Sequence, residues 1–131
     1  MAFADDVRKF AVKAGESSDG IVRAVTLSLF NGIIRDTPVK DGRLRGDWQT
    51  TVGQPATGEN GRVDKSGKAS MAEVVAKTPA GAGQETYISN SMPYAEIIEN
   101  GGSQKAPEGM VKRNMDRIER NLKKAIRDNK V

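Results

Sequence analysis

Histidine and cysteine, the side chains that most often attack, relay protons or hold transition metals near neutral pH, occur nowhere in this 131-residue sequence. Ser–His and Cys–His nucleophiles, the usual zinc sites and any disulfide framework are thereby excluded. Carboxylates remain as candidate acids and bases. Glu96 and Glu99 stand one helical turn apart, and Asp5 and Asp6 are adjacent. No further reactive residue converges with either pair, and no DxDxDG loop exists to build an all-oxygen metal shell. Ser66-Gly67-Lys68-Ala69-Ser70 lacks the preceding glycine of a P-loop, and no GxGxxG occurs. The chain is expected to be no enzyme, with no catalytic, cofactor-binding or metal-binding residues.

The chemistry left is that of charge. The net charge is +4. Residues 1–52 carry eight basic and seven acidic side chains, residues 53–111 five and seven, and residues 112–131 eight and three. The whole excess therefore lies on the last segment. That basic run could be a nucleic-acid footprint. Interspersed acids and the lack of stacking aromatics favour a solvated or protein-facing surface instead.

The elements that position these charges follow from periodicity. Phe3, Val7, Phe10, Ala11 and Ala14 recur at helical spacing, predicting a first helix that GESSDG (15–20) interrupts. A second helix is predicted from about Asp19 to Asp36. Its apolar residues Ile21, Val25, Leu27, Leu29, Phe30, Ile33 and Ile34 spread round most of the wheel, so it should be buried on several sides, with one face open to another subunit. Pro38 ends it and Asp41-Gly42 turns the chain. Leu44 and Trp48 should anchor the turn in the core, and alternation over Trp48, Thr50 and Val52 predicts a strand.

Gly53–Ser70 has no periodicity and no apolar anchors, and is expected to be a flexible loop. Ala72–Lys77 and Glu85–Asn90 are predicted strands of a hairpin across TPAGAGQ. Pro93–Glu99 should form a short helix closed by Gly101-Gly102. A final helix is predicted from near Pro107 towards Asn129. Val111, Met115, Ile118, Leu122, Ala125 and Ile126 fall within about 100° of one another, with the basic residues on the opposite arc. Glu119 and Asp116 precede Lys123 and Arg120 by four residues and should support it. The expected architecture is one α+β domain over residues 1–131: two N-terminal helices, an antiparallel sheet of three or four strands, a short helix and a long C-terminal helix. No stretch approaches the roughly 20 apolar residues of a membrane span. The start, MAFADDVRKF, is acidic where a signal peptide is basic, so a soluble intracellular product is expected.

Two segments together resemble a known family. Thr37-Pro38-Val39-Lys40-Asp41-Gly42-Arg43-Leu44-Arg45 follows a long helix. Downstream come Asn90-Ser91-Met92-Pro93-Tyr94-Ala95-Glu96-Ile97-Ile98-Glu99-Asn100-Gly101 and the helix entry Ala106-Pro107-Glu108-Gly109-Met110-Val111. In order and spacing these are similar to the tail-completion, or neck, proteins of long-tailed bacteriophages. Asp41 stands where the family usually has threonine. The resemblance implies a virion protein of the head–tail junction, assembled in the host cytoplasm as a ring of copies that meets neighbouring neck and tail proteins. DNA would pass nearby without specific binding. A tail terminator or head–tail stopper is the alternative of similar size, and a basic nucleic-acid-binding module a more distant one. Leu27, Phe30 and Ile34 of the apolar helix, with Arg43 and Tyr94 of the motifs, are the expected subunit contacts. Arg113, Arg117, Arg120, Lys124 and Arg127 are the expected partner-facing basic surface.

Overall fold

The computed structural model describes residues 18–80 and 83–128. The expected first helix over 3–14 lies outside the described residues. Helix α1 (Ser18–Arg35) leads to a single helical turn, α2 (Arg43–Gly46), and strand β1 (Gln49–Val52). Helix α3 (Lys68–Lys77), strand β2 (Thr86–Ser89), short helix α4 (Ala95–Glu99) and helix α5 (Val111–Asp128) follow. The fold is α+β: helices around a two-stranded antiparallel sheet in which Gln49 faces Ser89 and Val52 faces Thr86.

Helix α1 packs against both α3 and α5, and α3 also packs on β1. The core cluster joins Phe30, Ile33 and Ile34 of α1 with Trp48, Val74 and Met110. A second cluster sets Ile118 and Leu122 of α5 against the half-buried Ile21, Val22, Val25 and Leu29 of α1. Burial on several sides, expected for α1, is thus supplied by the chain itself around Phe30–Ile34. The earlier turns of the helix stay half-covered.

Three expectations are corrected. Ala72–Lys77 is helix, not strand, because Met71, Val74 and Thr78 share a face that packs inward while Val75 is exposed. The segment before TPAGAGQ therefore forms no hairpin strand, and β2 pairs with the distant β1, leaving two strands among the described residues rather than three or four. On α5 the inward phase is Val111, Asn114, Ile118 and Leu122. Met115, at the edge of this arc and about 100° on from Asn114, is exposed, and Asn114 is fully buried. The side chains of Ala125 and Ile126 lie outside the described residues.

The 53–70 segment ends in helix, since α3 begins at Lys68. Residues 53–59 run without regular structure and are largely exposed. From Asn60 onward the backbone is tied to the α2 turn. The Asn60 amide donates to Asp47 Oδ1 at 2.9 Å, and Arg62 donates to the carbonyls of Gly46 and Trp48, each at 2.8 Å. The outer edge of β1 is covered too, because the Thr50 amide donates to Glu73 Oε1.

Candidate functional site

The two motif segments, separated by some fifty residues, lie against each other. Pro38 follows α1, and Gly42 adopts φ +90°, a left-handed conformation that costs glycine nothing. Its carbonyl accepts from the Asp64 and Gly46 amides. The α2 turn that follows is held by Asn90, whose Nδ2 donates to the Leu44 carbonyl at 2.8 Å. The Ser91 amide donates to Asp47 Oδ2. Asp47 is buried and bridges two loops, taking Asn60 on one oxygen and Ser91 on the other.

Arg45 closes the other side of this turn. Its guanidinium donates to the carbonyls of Arg35 (2.9 Å), Thr37 (2.7 Å) and Lys65 (2.8 Å), covering the open C-terminal end of α1. Burial lowers its pKa, opposed by Asp64 and Asp36, and it stays charged at any working pH. Asp64 is buried beside it, accepting from the Gly67 and Ser70 amides and the Ser70 hydroxyl. Burial pushes its carboxyl up, but these bonds and Arg62 outweigh it and hold the pKa below the ordinary value.

The Tyr94–Glu99 segment then docks α5. Glu99 accepts from the first amides of that helix, Met110, Val111 and Lys112, at 2.8–2.9 Å. Between the two segments runs a cleft of about 590 Å³ whose walls are Pro38, Val39, Leu44, Tyr94 and Ile98, with Lys40, Asp41, Ser103 and Lys105 at its edges. Tyr94 is 39% exposed and the neighbouring Ile97 62%. Partial burial, then Asp41, raises the Tyr94 hydroxyl pKa above that of a free phenol. Adjoining the cleft, and sharing Pro38, Val39 and Lys105 with it, is a second hollow of about 440 Å³, lined by Arg35, Arg45, Lys65, Lys105 and Arg113 with Asp36 as its one acid.

The residues expected to make contacts divide. Tyr94 and Arg43 are exposed, Tyr94 in the wall of the cleft and Arg43 next to Leu44 of that wall. Phe30 and Ile34 are enclosed in the chain's own core, whereas Leu27 is half-buried. The part of this helix that the chain leaves half-covered is its earlier turns. Of the basic face, Arg120, Lys124 and Arg127 are exposed. Arg113 approaches Asp36 at 3.9 Å. Arg117 is partly buried and donates to Ser28 O and Asn114 Oδ1 within the molecule. Glu119 pairs with Lys123 at 3.1 Å as its spacing predicts.

Sequence reasoning missed Asp47, Asn90, Glu99 and Arg45 as the groups that build the cleft. The signal for three of them was present, since Arg45, Asn90 and Glu99 lie inside the quoted motifs. The cationic hollow left no local trace, because its residues come from five separate places in the chain. Among the described residues no three acidic side chains converge as metal ligands, and no helix is long and apolar enough to cross a membrane. No family model matches the sequence, and comparison with curated proteins and with solved structures returns no match.

Proposed function

We propose that this chain is a structural component of the head–tail junction of a long-tailed bacteriophage, of the tail-completion or neck type. It acts by assembling with copies of itself and recognising neighbouring neck and tail proteins, and it resides in the virion after assembly in the host cytoplasm. One observation carries the reading: the two segments that bear the family resemblance are hydrogen-bonded to each other and form opposite walls of one cleft. Residues separated in sequence but joined in one exposed feature are what a recognition surface requires. The groups that build it, Asp47, Asn90 and Glu99, are occupied with backbone amides and carbonyls, a holding role rather than a reacting one.

The test is imaging. A tagged chain expressed in the infected host should localise to the junction by immunogold labelling, and loss of the gene should yield separated heads and tails. Label along the tail or in the capsid, or intact virions without the gene, overturns the reading. Label only on caps of isolated tail tubes selects the terminator alternative.

A further inference from the structure

We propose that the cationic hollow beside the cleft is a carboxylate-binding subsite. Hollow and cleft together receive an acidic segment of a neighbouring protein that carries an apolar side chain next to its carboxylates. The inference deepens the proposed function by naming the chemistry of the partner, and it rests on the reading of the cleft as a protein contact.

The charge balance motivates it. Arg35, Arg45, Lys65, Lys105 and Arg113 surround one shallow cavity whose single acid, Asp36, already receives the Asn114 amide at 3.0 Å and Arg113 at 3.9 Å. Among the described residues no carboxylate pairs with Arg35, Lys65 or Lys105 at salt-bridge distance. Like charges gathered in a concavity repel one another and focus a positive potential, which a bound anion relieves. The floor is preorganised, since three backbone carbonyls fix Arg45. Its donors are largely taken up by those carbonyls, so it contributes a fixed positive charge that attracts an anion without losing rotamer freedom.

The shape selects the kind of anion. The hollow adjoins a cleft walled by Pro38, Val39, Leu44 and Tyr94, with Pro38, Val39 and Lys105 bordering both. A ligand filling both must present negative charge and, within a few ångströms, an apolar group. An acidic peptide with a leucine or aromatic anchor does so. A nucleic-acid strand fits less well: the cleft offers one aromatic, Tyr94, and sets Asp41 beside Lys40 at its edge, whereas strand-tracking surfaces line a groove with successive cations and stacking aromatics.

The test uses the full chain, isotope-labelled and titrated with acetyl-Leu-Glu-Glu amide, with the isosteric acetyl-Leu-Gln-Gln amide, and with a short oligothymidylate. The acidic peptide should move the amide signals of Val39, Lys65 and Lys105 in a saturable way, binding at least about fivefold more tightly than its neutral counterpart, a difference near 1 kcal/mol. The double variant Lys65→Glu/Lys105→Glu, at two exposed positions, should abolish the effect. Lys77→Glu, outside the hollow, should leave it intact. Equal binding of the two peptides, signals moving elsewhere, or tighter binding of the oligonucleotide to these same residues overturns the proposal. Because the titration needs no virion, its failure is separable from failure of the junction reading, which imaging decides.

Discussion

Glu99 sits at the mouth of the last helix, its Oε1 2.9 Å from the amide of Val111. A carboxylate from the preceding short helix thus satisfies amides that α5 cannot pair internally, and its charge meets the positive end of the helix dipole. The Met110 and Lys112 amides share it. Glu99→Gln keeps one acceptor and loses the charge, and should cost about 1 kcal/mol. Glu99→Ala should cost about 2 kcal/mol, the upper range for a lost cap. Urea unfolding measures both, and equal stability of Glu99→Ala and the parent chain would sink the assignment.

A second prediction concerns the lone tryptophan. Trp48 is buried, and its Nε1 donates to Thr37 Oγ1 at 2.8 Å while that hydroxyl donates to the Ile33 carbonyl at 2.7 Å. Thr37 therefore uses one acceptor and one donor site with nothing exposed. Thr37→Val keeps the shape and strands both partners, an expected loss of about 2–3 kcal/mol. Thr37→Ser should keep most of the stability. Emission of the parent chain should be blue-shifted and resist acrylamide, with Thr37→Ser unchanged.

What could be read from the sequence follows the range of the forces involved. Periodicity within one segment identified α1, α4 and α5, and Pro38 and Gly42 marked the turn, because each signal is local. Ala72–Lys77 reads as a strand because Val74 and Val75 favour strands, while the helical spacing of Met71, Val74 and Thr78 extends past that segment at both ends. The β1–β2 pairing was missed for a related reason. Proximity along the chain favours pairing adjacent segments, but the partner of β2 lies beyond a whole helix. Asp47, Asn90 and Glu99 serve distant backbone groups, and such a role leaves no period.

Gly32 sets the approach of α1 to α5. A Cβ there would sit 2.2 Å from Asn114 Oδ1 and 2.6 Å from Arg117 Nη2. Alanine would gain roughly 0.8–1 kcal/mol in helix propensity. It would also displace a fully buried asparagine that donates to Asp36 and to the Met110 carbonyl. Overpacking costs typically about 1–3 kcal/mol and should prevail, so Gly32→Ala is expected to be destabilising by about 1 kcal/mol. A rise in melting temperature would show that the helices separate without penalty.

Asp64 supplies a pH dependence. Its folded pKa lies below the ordinary 3.8. A carboxylate with a depressed pKa adds stability above its unfolded value, and that contribution disappears as pH falls through the folded value. Stability should therefore be insensitive to this group above about pH 5 and should decline below about pH 4. Asp64→Asn should be less stable near neutrality and show a shallower acid limb. Parallel acid limbs for the two chains in urea titrations would mean that another carboxylate governs the decline.

The basic face of α5 divides into a structural and an exposed part, and the division makes the last prediction. Arg117 braces the helix against α1, with Nη2 3.0 Å from Asn114 Oδ1 and 3.4 Å from the Ser28 carbonyl. Removing it leaves the buried Asn114 oxygen without its donor, so Arg117→Glu should destabilise the monomer by about 1–3 kcal/mol. Arg120 and Lys124 stand out in solvent, and their reversal should change stability by no more than about 0.5 kcal/mol. Under the proposed junction role, any effect of theirs should appear in assembly. A channel wall that bound phosphates would retard passing DNA, because each neutralised phosphate releases counterions and adds affinity. If the chain forms the proposed ring around such a channel, the exposed cations should therefore face outward, to solvent or to an acidic neighbour. Arg120→Glu/Lys124→Glu should then fold normally and be incorporated less well or equally well, while particles that do form eject DNA at the parent rate. A changed ejection rate with normal incorporation would place these cations at the channel instead.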